Sequence, residues 1–122
     1  MKRPSRFGSK IKKPVIDGYK FDSRHEADRY GELKLLLLSG EIESLRIHPR
    51  YTIKIGGIPV LMRSKGYPNG RQLKYVADFS YVDLRLDEII IEDVKMQSGY
   101  RTEVYKIKRA LMEAMGYRIT EV

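Results

Sequence analysis

Asp93 and Lys95 are the residues whose types and spacing most directly indicate chemistry. They end the stretch Glu88–Lys95, which its isoleucines predict to be a strand. Because alternate residues of a strand share a face, both side chains point the same way and Glu92 points the other. A charged pair ending an apolar strand is costly to bury unless it is used or paired. A simple ion pair on an exposed edge strand is the other interpretation.

Asp78 is a second acid within a predicted strand, Leu73–Leu84, where aspartate is disfavoured. If this strand pairs with the next one as a hairpin about the turn near Leu86, Asp78 and Asp93 lie roughly opposite each other. Carboxylates that close repel, and a divalent cation keeps both of them ionised. Hard oxygen ligands suit Mg²⁺, with Mn²⁺ as a substitute, and phosphodiester hydrolysis is chemistry that such a site can perform.

Glu26 stands in the first turn of a helix predicted over Ser23–Leu38, with Gly40 as its stop. Ser23 and Glu26 match a capping box, which by itself would account for a glutamate here. Glu26 also lies on the stripe of Tyr30 and Leu33, which turns it toward the core rather than the solvent and leaves a role beside a metal open. The two roles are compatible.

The rest of the chain predicts short strands and a second helix. Its order is helix, about three strands, helix, strand. The predicted features are a strand over Tyr51–Ile55 that meets a turn at Gly56-Gly57, a basic loop over Arg63–Arg71, a helix over Thr102–Met115 with the core stripe Val104, Ile107, Leu111 and Met115, and a final strand over Tyr117–Val122.

Composition indicates one basic domain. The 122 residues carry a net charge of +8, which leaves room for a single core and favours a nucleic acid as partner. Residues 1–17 predict a flexible basic arm, which contacts phosphate or only solubilises the chain, and residues 18–122 a single domain. The absence of cysteine removes disulfides and thiolate sites. With no apolar run of membrane length, we expect no membrane partner and a cytoplasmic location, the host cytoplasm if a phage encodes the protein.

Cationic and aromatic residues are the candidates for DNA contact. Those on the second helix follow directly after the strand of Lys95, beside the predicted cut. A solvated basic face is the other interpretation of that helix. The predicted DNA-binding residues are Arg24, Lys65, Arg71, Tyr105, Lys106, Lys108 and Arg109. His25 and His48 have no ligand-like spacing, and neither is predicted to bind a metal.

The chain resembles the PD-(D/E)xK nuclease superfamily over about residues 20–122. The residues that carry this resemblance are Ala77-Asp78-Phe79, then Ile91-Glu92-Asp93-Val94-Lys95, with Glu26 on a preceding helix. Ala77 replaces the name-giving proline and Asp93 the commoner glutamate, both tolerated variants, and the adjacent Glu92 leaves open which acid faces the metal. The resemblance implies an α/β, restriction-endonuclease-like core, a mixed sheet flanked by helices in the order αβββαβ. It also implies roles for site residues: Glu26, Asp78, Asp93 and the Val94 carbonyl would bind Mg²⁺, and Lys95 would assist the attacking water.

In size and layout the chain is most similar to small phage proteins of that superfamily and to archaeal-type Holliday junction resolvases. This likeness implies a Mg²⁺-dependent endonuclease that cuts branched DNA in recombination. It also implies a homodimer, because a four-way junction is two-fold symmetric. Two alternatives stay open: a nuclease of this superfamily that acts on a flap, a nick or a short sequence, and a non-catalytic nucleic-acid-binding protein on a nuclease-like scaffold.

Overall fold

The computed structural model describes residues 12–95 and 101–122, and it is an α/β protein with a mixed four-stranded sheet and two helices. Neither helix of this described part is long and apolar enough to cross a membrane. In chain order the elements are β1 (Val15–Ile16), β2 (Tyr19–Lys20), α1 (Arg24–Leu38), β3 (Ile42–Ile47), β4 (Arg50–Thr52), β5 (Lys54–Ile55), β6 (Ile58–Pro59), β7 (Leu61–Ser64), β8 (Tyr67–Gln72), β9 (Lys74–Val76), β10 (Phe79–Asp83), β11 (Glu88–Asp93), α2 (Glu103–Ala114) and β12 (Ile119–Glu121).

The last residues of the predicted arm belong to a hairpin in the structure. Residues 1–11 lie outside the described residues, but β1 and β2 form an antiparallel hairpin that includes the last part of the predicted arm. The Tyr30 hydroxyl and Lys34 Nζ both donate to the Asp17 carboxylate in the hairpin turn, at 2.6 and 2.7 Å. These contacts hold the hairpin, which begins within the stretch predicted as the arm, on α1.

The first helix is confirmed. Ser23 is its N-cap, and its Oγ accepts a hydrogen bond from the Glu26 backbone N–H at 3.1 Å. Gly40 follows the helix with φ +80°, a left-handed conformation that glycine adopts without strain. The buried face consists of Glu26, Ala27, Tyr30 and Leu33.

The four-stranded sheet has the order β12-β11-β10-β3. The predicted hairpin of β10 and β11 is confirmed, with Phe79 opposite Glu92 and Asp83 opposite Glu88. Strand β12 joins β11 in parallel, and β3 joins β10 antiparallel, so the sheet is mixed. The ladder ends at Phe79 and Glu92, and Asp78 and Asp93 are the next residue of each segment beyond that pair.

Two apolar clusters cover the sheet, and their strand residues alternate between its faces. The cluster around α1 contains Phe21, Ala27, Tyr30, Leu33, Ile42, Phe79 and Tyr81. The cluster around α2 contains Ile53, Tyr75, Ala77, Ile91, Met112 and Ile119. Asp93 shares a strand face with Ile91 of the second cluster, whereas Asp78 lies in the bend between β9 and β10, where the alternation of strand faces is interrupted.

The buried face of α2 differs from the predicted core stripe. Val104 and Ile107 are 61% and 55% exposed, whereas Met112 is fully buried. The sheet edge beneath α2 carries Glu121, to which Tyr105 and Arg109 donate, so these amphipathic side chains face inward. The predicted stripe is therefore wrong at the start of α2, whereas its other two members, Leu111 and Met115, pack against the second cluster.

The segment between β3 and β10 is more strand-rich than predicted. The Gly56-Gly57 turn is confirmed between β5 and β6, with φ of 59° and 82°. The predicted basic loop is instead an antiparallel hairpin, β7 with β8. The predicted strand over Leu73–Leu84 is two strands, because the chain leaves its partner β4 at Val76 and takes β3 and β11 as partners from Phe79.

Candidate metal centre

A cavity of about 360 Å³ lies where the open ends of β10 and β11 meet the start of α1. The four predicted catalytic residues all line it, together with the backbone neighbour Val94 that was predicted as a carbonyl ligand. Its lining is Asp22, Ser23, His25, Glu26, Asp78, Asp93, Val94 and Lys95. Residues that span most of the sequence are thus brought together by the hairpin register and by the capping geometry of α1.

Asp78 sits at the break between β9 and β10. Its Oδ2 accepts a hydrogen bond from the Val94 backbone N–H at 2.7 Å, and its own N–H donates to the Glu92 carbonyl at 3.0 Å. Burial, followed by the adjacent Glu26 carboxyl, raises the pKa of Asp78 above its ordinary value. The backbone therefore holds this carboxylate against a second acid, and a cation between them would relieve the repulsion.

Asp93 is the more isolated acid. It is 5% exposed, and its Oδ2 is buried with no hydrogen-bond partner in residues 12–95 and 101–122. Its nearest cation is Lys95, whose Nζ lies 4.0 Å from the other carboxylate oxygen. Burial raises the pKa of Asp93 to about 6, and the Lys95 charge only partly opposes this shift. A buried carboxylate oxygen without a partner calls for a physical explanation, and a bound ion or water supplies one.

Glu26 makes both contacts that the sequence left as alternatives. One carboxylate oxygen accepts from the Asp22 backbone N–H at 2.6 Å, which caps the entry to α1. The other lies 3.0 Å from His48 Nε2 inside the site. The two oxygens of one side chain therefore contact different groups, the backbone at the entry to α1 and the His48 imidazole.

His48 is a residue of the site that the sequence did not predict. It follows β3 with φ of 53°, and its backbone N–H donates to the Asp78 carbonyl at 2.9 Å. One ligand atom each from Glu26, His48 and Asp78 lies within 4.8 Å of the others. The sequence signal was a histidine before proline at the end of a strand, which is too weak to identify a ligand without the neighbouring strand.

Lys95 lies between an acid and an aromatic ring. Its Nζ is 3.5 Å from the centre of the Tyr105 ring, in addition to the contact with Asp93. The Tyr105 hydroxyl donates to Glu121 at 2.7 Å, and Glu121 also accepts from Arg101 and Arg109. Helix α2 thus positions the ammonium group of Lys95 at the cavity.

Glu92 is turned away from the cavity. Arg29 on α1 donates to both of its carboxylate oxygens, at 2.9 and 2.6 Å, and the Tyr81 hydroxyl also donates to it. The side chain is almost completely buried and its charge is matched. The geometry therefore favours Asp93 over Glu92 as the acid that faces a metal.

The donor set fits a divalent cation. Glu26, His48 and Asp78 each offer one ligand atom within 4.8 Å of the others. Asp93 is outside that group but lines the same cavity as Glu26 and Asp78, and one of its buried oxygens has no partner among residues 12–95 and 101–122. Carboxylates and imidazole are ligands for Mg²⁺, Mn²⁺ and related ions, and the negative charge of three adjacent acids is what such an ion would neutralise.

The predicted DNA-binding residues divide between two regions. Tyr105 and Arg109 are engaged inside the protein, and Lys106 pairs with Glu103 on the surface of α2. Lys65 and Arg71 are exposed on the β7–β8 hairpin, and Lys108 lines a groove between that hairpin and α2. Arg24 is exposed at the start of α1, next to two cavity residues.

Comparison with known proteins identifies a family and no individual relative. No curated protein and no solved structure matches the chain. The model of a family described as protein of unknown function (DUF1064) matches residues 6–121, which include every residue of the cavity. The chain belongs to the DUF1064 family.

Proposed function

We propose that this protein is a divalent-cation-dependent DNA endonuclease with its active centre at the cavity of Glu26, Asp78, Asp93 and Lys95. The observation that carries the proposal is Asp93, which lines a cavity with further acids and a lysine and has a buried carboxylate oxygen without a partner in the described part of the chain. Structural ion pairs bury matched charges, as Glu92 and Arg29 do. An acid-rich cavity beside a lysine is better suited to a cation and a phosphate.

Each residue has a chemical role in phosphodiester hydrolysis. Glu26, Asp78, Asp93 and His48 would hold Mg²⁺ or Mn²⁺, with the Val94 carbonyl as a further ligand. When bound, the cation withdraws charge from a phosphate oxygen and lowers the pKa of water. The Lys95 ammonium, fixed by the Tyr105 ring, orients the attacking water and offsets the charge that develops on the phosphate.

The arrangement of elements supports a restriction-endonuclease-like core. The elements of the four-stranded sheet and its two helices follow in the order α1, β3, β10, β11, α2, β12, which is helix, three strands, helix, strand. The segment from β4 to β9 is an insertion in that order. On this basis, and from the size and basic charge of the chain, we propose branched DNA as substrate, a Holliday junction in particular, and a homodimer as the active form.

Cleavage of defined DNA structures tests the proposal. The protein is incubated in Mg²⁺ with a labelled four-way junction, a flap, a nicked duplex, an intact duplex and a single strand. We expect cleavage of the junction in preference to the others. Equal cleavage of all the substrates excludes junction selectivity, and preference for the flap or the nick supports the other nuclease target.

Two isosteric variants test the site itself. Asp78→Asn and Asp93→Asn are expected to abolish cleavage and to retain DNA binding. Asp87→Asn is the matched control, because this exposed acid lies at the far end of the same hairpin with φ of 57°, which asparagine tolerates. Binding by the wild type with no cleavage in Mg²⁺ or Mn²⁺ would instead support the non-catalytic alternative.

A further inference from the structure

The β7–β8 hairpin presents side chains that the protein core does not use. Every residue of its two strands except Gly70 is exposed. Leu61, Met62 and Tyr67 are 46%, 46% and 49% exposed, alongside the cations Arg63 and Arg71. An exposed two-stranded ribbon stabilises a fold little, so its apolar and cationic groups are available to a partner.

The charged side chains of the chain segment that contains this ribbon are all cationic. Residues 44–77, from the middle of β3 to the end of β9, contain no aspartate or glutamate. The cations of the same segment are Arg46, Arg50, Lys54, Arg63, Lys65, Arg71 and Lys74. A surface with cations and without acids attracts a polyanion and gains affinity by releasing its counterions.

Two of the ribbon cations are held in place before any partner binds. The Arg71 guanidinium lies over the Tyr67 ring, 4.9 Å from its centre. Arg63 Nη1 donates to the Pro68 carbonyl across the hairpin at 3.2 Å. Side chains that are already ordered lose less entropy on binding. In addition, a two-stranded β-ribbon has dimensions that fit the major groove of B-DNA.

Helix α2 connects the ribbon with the candidate active centre. Val104, Ile107 and Lys108 line a groove of about 490 Å³ together with ribbon residues Met62 and Arg71. Tyr105, on the same helix between these residues, lies against Lys95. A nucleic acid that lies along the ribbon and the start of α2 is therefore led toward the catalytic lysine.

We infer that the β7–β8 ribbon is the duplex-binding element of the protein and enters the major groove of DNA beside the cut site. The position relative to the cut rests on the proposed function, whereas binding by the ribbon requires neither the cation nor cleavage. Arg63, Lys65 and Arg71 would contact phosphates, and the apolar side chains would contact the groove.

Binding measured without a cation tests the inference. Fluorescence anisotropy of a labelled duplex in EDTA compares the wild type with the triple variant Arg63→Gln, Lys65→Gln, Arg71→Gln. The control triple variant is Lys20→Gln, Arg85→Gln, Arg118→Gln, which removes the same charge from exposed positions outside the ribbon. We expect the ribbon variant to bind at least about tenfold more weakly and its salt dependence to fall by about two to three counterions, whereas the control changes little.

Three outcomes would overturn the inference. They are a ribbon variant that binds like the wild type, a control variant that loses as much affinity, and a wild type that prefers RNA or single-stranded DNA to the duplex. Unchanged circular dichroism and Tm verify that the exposed substitutions leave the fold intact. If binding depends on the ribbon but the wild type cuts no DNA, the proposed nuclease function alone is refuted. If the ribbon variant binds and cuts normally, the proposed role of the ribbon alone is refuted.

Discussion

At the scale of a single residue, the buried Asp93 carboxylate lowers the stability of the fold and is also the acid proposed to bind a cation. An ionised carboxylate with an unpaired oxygen is costly inside a protein, and its pKa is raised accordingly to about 6. The adjacent Glu92 is buried even more deeply, yet Arg29 and Tyr81 compensate its charge. Two neighbouring acids in one strand thus have opposite roles, one structural and one open to a ligand.

Asp93→Asn is therefore expected to stabilise the protein in EDTA while it abolishes cleavage. At pH 7.5 the ionised Asp93 costs the folded state on the order of 3 kcal/mol, since its folded pKa of about 6 exceeds the ordinary value of 3.8. Asparagine removes that cost. Differential scanning calorimetry should show a higher Tm for the variant.

The pH dependence of Tm tests whether ionised Asp93 destabilises the fold. Because the folded pKa is raised, the wild type loses stability as the pH rises from about 4 to about 6, whereas the variant lacks this contribution. The Tm difference between the two proteins should shrink as the pH is lowered from 7 to 4. A variant less stable than the wild type at pH 7.5 would contradict the burial argument.

His48 offers the imidazole nitrogen of the site, 3.0 Å from Glu26. Nitrogen ligands favour transition metals over Mg²⁺. His48→Asn is expected to weaken Mn²⁺ binding by at least about tenfold and Mg²⁺ binding by less, measured by titration calorimetry. His25→Asn is the matched control, because His25 lines the same cavity but is outside the cluster of close ligand atoms. Equal Mn²⁺ affinity of the two variants would exclude His48 as a ligand.

At the scale of elements, α2 acts on the site through one aromatic ring. The inward side of the helix is not its most apolar stripe but the side whose hydroxyl and guanidinium reach Glu121 on β12. That rotation places Tyr105 under Lys95 and exposes Val104 and Ile107 toward the ribbon. The side of α2 that packs inward therefore determines both the position of Lys95 and the shape of the groove beside the ribbon.

Two substitutions of Tyr105 separate its ring from its hydroxyl. Tyr105→Phe keeps the ring beneath Lys95 and should retain most of the cleavage rate. Tyr105→Leu removes a cation–π contact worth about 0.5–2 kcal/mol, and we expect kcat to fall about tenfold. Single-turnover kinetics with saturating junction DNA measure the rate, and Tm measures folding. An equal loss in the two variants would show that the Glu121 hydrogen bond, which both of them remove, matters more than the ring.

At the scale of the whole molecule, the acid-rich cavity and the cationic insertion come from different segments of the chain. The acids of the cavity come from α1, β10 and β11, whereas the insertion from β4 to β9 is entirely cationic among its charged residues. A polyanion bound by the insertion and a cation bound by the cavity have complementary charges, which matches the needs of phosphodiester hydrolysis.

Cation binding should stabilise the entire domain, because the ligands come from α1, from the end of β3 and from the β10–β11 hairpin. A cation at about 100 times its Kd adds about 2.7 kcal/mol to the free energy of unfolding, or several degrees in Tm. Thermal unfolding with Mg²⁺ or Mn²⁺ against EDTA measures this shift at constant ionic strength. The double variant Asp78→Asn, Asp93→Asn should show none, and an equal shift in it would place the cation elsewhere.

The sequence alone determined the local features of this protein. Capping of α1 by Ser23, the Gly56-Gly57 turn and the hairpin of β10 and β11 all follow from short-range chemistry, in which neighbouring residues restrict the backbone. Asp78, Asp93 and Lys95 were predictable from the hairpin and from the cost of buried charge, whereas the role of Glu26 was predicted mainly from the family resemblance.

Tertiary structure decided which charged groups meet across the fold. His48 joins Glu26 only because β3 ends beside Asp78, and α2 rotates only because Glu121 arrives on β12. These outcomes depend on contacts between residues that are distant in sequence, and no local pattern encodes them.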